Sequence, residues 1–132
     1  MLSEDLSSQL NELLKNLKTD VEIVASLDKS ENSENMKSLL EEISQMHDLI
    51  SLSFDGTAER RPSFSISRSS SNIGVDFAGV PLGHEFSSLV LALLQIGGHP
   101  SKVDPAILKK VSEIKEELFF ETYYSLTCMN CP

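Results

Sequence analysis

A buried strand, an amphipathic helix and a second strand follow one another between residues 21 and 54, and this succession limits the fold more than any other feature. Residues 21 to 27 are apolar and β-branched over a strand's length, which is typical of a central strand. Ser33 is predicted to cap the helix that follows, and residues 49 to 54 form the next strand. The order predicts a βαβ unit and therefore an α/β protein.

The regions on either side extend this unit. Ser3 is predicted to cap a helix over residues 4 to 17, whose leucines recur at helical spacing. After the βαβ unit, strands are predicted at 63 to 66 and 74 to 79, joined by a turn at 69 to 72. A further helix runs through Phe86 to Ile96 and ends at two glycines. The full order is a helix, then βαβ, then ββα.

A second helix and strand begin after residue 100. Asp104 and Pro105 supply a helix cap and a first-turn proline, and four apolar residues predict a core-facing stripe: Ile107, Leu108, Val111 and Ile114. Residues 118 to 126 are rich in Phe and Tyr and predict a strand that runs directly into the last cysteines. We therefore divide the chain into one complete unit at 1–100 and the beginning of a second unit at 101–132.

The two predicted central strands can be aligned with each other. Placing residues 21–27 on residues 120–126 gives three identities, although the alignment is too short to exclude chance. In the same frame Lys29 matches Cys128 and Asn32 matches Cys131. The first unit would then share the fold of the second unit without its thiols.

Charge and hydropathy exclude several classes of function. The 20 acidic and 11 basic side chains give a net charge of −9, which disfavours binding to nucleic acid or to anionic lipid. The acidic N-terminus lacks the features of a signal peptide, and no apolar run approaches the length of a membrane span. A soluble cytoplasmic protein is expected.

Cys128 and Cys131 form a CxxC motif at the predicted strand-to-helix junction, and Pro132 suits the first turn of the helix expected next. A helix N-terminus offers unpaired N–H groups and partial positive charge, which stabilise a thiolate. In a redox role Cys128 would attack a partner disulfide, and Cys131 would resolve the mixed disulfide. The motif therefore predicts a thiol-disulfide exchange site.

Other interpretations of these residues stay open. Zinc would need four ligands, and the chain has no second cysteine pair, only three scattered histidines. No metal site is expected, and incidental cysteines remain the simplest alternative. Glu85 lies at a predicted helix start, where it would either serve the helix dipole or, if it reaches the dithiol, carry a proton.

The chain resembles the N-terminal domain of AhpF, the flavoprotein component of alkyl hydroperoxide reductase, which reduces a bacterial peroxiredoxin. The residues that carry the resemblance span most of the sequence. They are residues 61–64, 77–79, 81–94, 97–102 and 120–126.

The resemblance implies two fused thioredoxin-like units, of which the first lacks its cysteines. It implies that Pro62 is a cis-proline near the site, and that Glu85 is the acidic residue near the dithiol. In the full family protein electrons pass from NADH to FAD, then to a second dithiol, then to this dithiol and finally to the peroxiredoxin. The implied partners are this peroxiredoxin and the C-terminal flavoprotein module, in a homodimer.

Two departures from the family pattern matter. The family usually has histidine where this chain has Met129, so we predict a higher Cys128 pKa and a more reducing pair than in histidine-bearing relatives. The chain also has no G-x-G-x-x-G loop, and it ends after the CxxC motif. We therefore expect a truncated piece that binds neither FAD nor NADH and is inactive alone. A non-catalytic docking module with incidental cysteines is the alternative.

Overall fold

A computed structural model describes residues 1–69, 71 and 73–130; Ser70, Asn72, Cys131 and Pro132 lie outside the described residues. Two of these belong to the predicted turn at 69 to 72, and the other two are the predicted resolving cysteine and the proline after it. The helices are α1 (Glu4–Leu14), α2 (Glu31–Ser44), α3 (Phe86–Ile96) and α4 (Pro105–Ser112), with a 3₁₀ turn over Gly83–Glu85 before α3. The strands are β1 (Val21–Ser26), β2 (Ile50–Ser53), β3 (Ser63–Ser67) and β4 (Gly74–Phe77).

The four strands form one mixed sheet in the order β2-β1-β3-β4. β1 pairs in parallel with β2 and antiparallel with β3, and β3 pairs antiparallel with β4. The crossover from β1 to β2 is α2, as the βαβ pattern requires. The predicted order of a helix, βαβ and ββα is therefore confirmed.

The core lies entirely within the first predicted unit. Its buried hydrophobic residues come from α1, β1, α2, β3 and α3, with single contributions from β2, β4 and the segment after α1. Phe64 on β3 is 2% exposed and stacks on Phe77 of β4, with ring centroids 5.2 Å apart. α1 and α3 contact each other, and α3 packs on β3. The predicted stripes of α2 and α3 are thus largely buried, whereas in the predicted α1 stripe Leu10, Leu14 and Leu17 are buried and Leu6 and Leu13 are exposed.

The cap of α2 differs from the sequence prediction. Ser30, not Ser33, is the N-cap, and its hydroxyl accepts a hydrogen bond from the Ser33 amide at 3.2 Å. Ser33 is buried and forms hydrogen bonds with the turn before the helix. Its hydroxyl donates to Asp28 Oδ1 and accepts from the Asp28 amide. The helix begins earlier because the turn after β1 already supplies a capping serine.

The predicted core-facing stripe of α4 is wrong. Ile107, Leu108 and Val111, with Ile114 just beyond the helix, are each about half exposed, and α4 buries no residue. Asp104 does cap the helix, since its carboxylate accepts from the Ala106 amide at 2.8 Å. Local signals therefore form the helix, while none of the described residues covers its apolar side.

The strand predicted at 118–126, hereafter the arm, is also absent. The arm forms no backbone ladder with any of the four strands. A strand requires a neighbour for its N–H and C=O groups, and sequence pattern alone does not supply one. The domain division at residue 100 stays a prediction.

Within the described ranges, no helix has the length and hydropathy to cross a membrane.

Candidate redox site

Cys128 lies in a turn directly after the arm. Its amide donates to the Ser125 carbonyl at 2.9 Å, and the residue is partly buried. Cys128 is disulfide-bonded. Cys131 lies outside the described residues, so its pairing with Cys128 stays a prediction. Met129, which stands at the family's histidine position, is 78% exposed and leaves room for a side chain of another type.

The end of the arm meets the start of α3. The Leu126 carbonyl accepts from the His84 amide at 3.5 Å, a long hydrogen bond. Gly83 has φ +62°, and a Cβ built there would lie 3.0 Å from the Leu126 oxygen. A side chain at position 83 would thus be strained by both its backbone conformation and this approach. Glycine at this position therefore lets the end of the arm approach the backbone just before Glu85.

Glu85 is the most unusual buried group of the described residues. It is 4% exposed, and its Oε2 accepts from the Ser88 hydroxyl at 3.0 Å, one helical turn later. Oε1 is buried and has no hydrogen-bond partner in the described part of the chain. A buried carboxylate oxygen without a donor costs free energy, so such a group usually has a functional reason.

Tyr124 lines the same cleft as Glu85. Burial, and after it the negative charge of Glu85, raise the pKa of the Tyr124 phenol above its usual value. Both side chains line an open cleft of about 1820 Å³ that is bounded by β3, β4, the loop before Pro62 and the arm. Sequence reasoning missed Tyr124 because it assigned the residue to a strand, and it missed Ser88 although the i, i+3 spacing from Glu85 could have revealed it.

The peptide bond between Arg61 and Pro62 is cis, the isomer that the resemblance implied. The loop before it is held against the end of β1. The Gly56 amide donates to the Ala25 carbonyl at 3.0 Å, and the Ala58 amide donates to the buried Ser26 hydroxyl, also at 3.0 Å. A Cβ on Gly56 would come within 2.7 Å of the Ala25 oxygen, so this close approach needs glycine.

The positions that align with the cysteines carry no thiol and lie on the surface. Lys29 and Asn32 are exposed on either side of the cap of α2. Between them the local chemistry is structural, because hydrogen bonds from Ser30 and Ser33 lower the pKa of the Asp28 carboxyl to about 2. This turn of the first unit is therefore an acidic capping network.

The described residues hold no group of three or more His, Cys, Asp or Glu side chains placed to bind a metal. The three glycines with positive φ, at 79, 83 and 98, are isolated turn positions and form no loop around a phosphate.

Comparison with known proteins decides the relationship. The chain is 50% identical over 132 residues to the alkyl hydroperoxide reductase AhpF of Pseudomonas putida, covering 100% of this chain and 25% of the relative. The corresponding Escherichia coli protein is 47% identical over 133 residues, covering 100% and 26%. The chain is homologous to the N-terminal region of AhpF. The predicted resemblance is confirmed, and the chain spans about a quarter of the length of these relatives.

Solved structures agree with this relationship and establish the fold. AhpF of Enterococcus faecalis matches with a TM-score of 0.82 at 27% identity, over 98% of this chain and 68% of that one. A protein disulfide oxidoreductase from Aeropyrum pernix matches with a TM-score of 0.69 at 22% identity, over 86% and 55%. The predicted thioredoxin-like fold is confirmed. No family model matches the chain.

Proposed function

We propose that the chain is the thiol-disulfide relay segment of an alkyl hydroperoxide reductase AhpF, with Cys128 as nucleophile, Cys131 as resolving thiol and Glu85 as proton carrier. It passes electrons to the disulfide of the partner peroxiredoxin during peroxide detoxification in the cytoplasm. The observation that carries the proposal is the buried, half-paired Glu85 carboxyl, next to the backbone that the Leu126 carbonyl contacts two residues before Cys128.

Thiol-disulfide exchange with the peroxiredoxin would take place in two steps. The Cys128 thiolate attacks one sulfur of the peroxiredoxin disulfide, which forms a mixed disulfide and releases one peroxiredoxin thiolate. The Cys131 thiol loses its proton to the Glu85 carboxylate and attacks the Cys128 sulfur. This closes the Cys128–Cys131 disulfide and releases the second peroxiredoxin thiolate, and the Glu85 carboxyl returns its proton to a departing thiolate. Two electrons move to the peroxiredoxin, and the chain is oxidised.

FAD and NADH would supply the electrons from the part of the relatives that this chain does not span. The chain's own contribution is a buried carboxyl, Glu85, which follows the backbone that the Leu126 carbonyl contacts. Burial keeps bulk water away from this carboxyl, so a proton exchanged with it would not leak to solvent. The arrangement of Glu85 therefore fits its proposed role.

A trapping experiment tests the proposal. The Cys131→Ser variant, incubated with oxidised peroxiredoxin, should accumulate a mixed disulfide through Cys128, because the resolving thiol is gone. The Cys128→Ser variant should accumulate far less. Equal trapping by both variants, or by neither, would contradict the assigned roles and would favour the docking alternative, in which binding survives the loss of both cysteines.

A second measurement tests Glu85. Glu85→Gln should slow resolution of the mixed disulfide by at least about a hundredfold, the lower range for a lost proton carrier. Glu113→Gln is a matched control, because Glu113 is exposed at the end of α4. Resolution at the unchanged rate in Glu85→Gln would remove the carboxyl from the mechanism.

A further inference from the structure

We propose that Tyr124 is a positioning residue for Glu85, which closes the cleft over the carboxyl and gives its unpaired oxygen a hydroxyl donor beside the dithiol. This inference rests on the proposed role of Glu85. It identifies the second polar group of the site, four residues before Cys128.

The burial pattern of the arm distinguishes Tyr124 from its neighbours. Phe119, Phe120 and Tyr123 are each more than 80% exposed, and among residues 118 to 126 only Tyr124 is partly buried. Tyr124 is therefore the most buried side chain of the arm, which also contacts the first unit through the Arg60–Glu121 ion pair at 3.0 Å. The Tyr124 side chain carries a hydroxyl, although its neighbours include two phenylalanines that would suit an apolar contact better.

The contact between Leu126 and the start of α3 relates the position of Tyr124 to that of Glu85. The Leu126 carbonyl lies against the backbone of Gly83 and His84, and Glu85 follows His84 directly. Tyr124 precedes Leu126 by two residues and lines the same cleft as Glu85. The charge of Glu85 acts on the Tyr124 phenol, and the cysteine turn begins at the end of the arm.

The two groups are also chemically complementary. Glu85 Oε1 has no donor, and the Tyr124 hydroxyl forms no hydrogen bond with any residue that the structure describes. A phenol can donate to a carboxylate, and the bond would remove the desolvation cost of the bare oxygen. Burial and the Glu85 charge keep the phenol protonated, and so able to donate, to higher pH than usual because they raise its pKa. The other charged groups that line the cleft are Glu59, Arg60, Arg61, Asp76 and Glu121.

Tyr123 provides a matched control. Its side chain is 81% exposed, and its hydroxyl donates to Glu121 Oε2 at 2.9 Å. Tyr123 and Tyr124 are the two tyrosines of the chain, which has no tryptophan. Tyrosinate absorbance of the Tyr123→Phe variant therefore reports the ionisation of Tyr124 alone.

The first test is a spectroscopic titration of this variant. The Tyr124 phenol should titrate above the usual value of about 10, and adding Glu85→Gln should lower its pKa by at least about half a unit. Adding Glu121→Gln instead should leave the pKa of Tyr124 unchanged. If the pKa of Tyr124 does not respond to Glu85→Gln, the inference is overturned.

The second test is the pH profile of mixed-disulfide resolution. Tyr124→Phe should shift the limb that Glu85 controls by at least about half a unit, because a lost donor disfavours the charged carboxyl. Tyr123→Phe should not shift it, and matching circular dichroism would show that both variants fold. If Glu85→Gln slows resolution while Tyr124→Phe behaves like Tyr123→Phe, this inference fails and the proposed function stands. If Glu85→Gln leaves the rate unchanged, the proposed role of Glu85 fails.

Discussion

β1 and the arm have matching sequence patterns and opposite structures. Val21 and Ile23 on β1 are fully buried, whereas Phe120 and Tyr123 at the aligned end of the arm are about four-fifths exposed. β1 has a neighbouring strand on each side and helices packed over its sheet, and the arm pairs with no strand of the described chain. The difference shows that an apolar, β-rich segment becomes a core strand only when partners cover it.

The largest expected effect on stability comes from removing a phenylalanine side chain, and it should differ between the core and the arm. Phe64→Ala should destabilise the protein by about 3 to 5 kcal/mol, because it opens a cavity in the core and removes the stacking on Phe77. Phe120→Ala should change stability by no more than about 0.5 kcal/mol. Urea denaturation measures both, and comparable losses would show that the arm is packed as firmly as the core.

The turns after the two segments should respond differently to acid. The lowered pKa of Asp28, about 2 against an ordinary 3.8, stabilises the folded state above the unfolded pKa. This contribution should be lost as the pH falls from about 4 to about 2, where the carboxylate is protonated. Thr127 stands at the aligned position and has no such charge. Asp28→Asn should flatten this part of the stability curve, and a curve of unchanged slope would contradict the capping network.

A smaller effect is expected at the cysteine turn itself. Met129→His should lower the pKa of the Cys128 thiol by about one unit, because an imidazolium beside the sulfur stabilises the thiolate. The rate of alkylation as a function of pH measures this shift in the reduced protein. Met129→Gln is the control for a polar side chain without charge, and an unchanged pKa in Met129→His would mean that position 129 does not reach the sulfur.

Local sequence signals predicted most of the fold. Helical spacing gave α1, α2 and α3, alternation and β-branching gave the four strands, and Asp104 with Pro105 gave the start of α4. The boundaries moved by a few residues where a nearer cap was available, as with Ser30 in place of Ser33. The burial of Ile107 and the strand character of the arm were mispredicted, because both depend on what lies across from them and not on their own sequence.

The site was predictable only in part. The spacing of the cysteines gave their chemistry, and the resemblance singled out Glu85 and Pro62. The burial of Tyr124 accompanies the contact between residues 83–84 and Leu126, which are about forty positions apart in the chain. No local pattern encodes a contact of that separation.

The proposed relay function requires that Cys128 and Cys131 form one reversible two-electron couple. The most direct test is to equilibrate the reduced protein in glutathione and dithiothreitol buffers of graded potential and to count free thiols by mass spectrometry after alkylation. If they do form one couple, both thiols should disappear together in a single two-electron transition between about −180 and −300 mV. Loss of the thiols one at a time, or glutathione adducts without an internal disulfide, would contradict it.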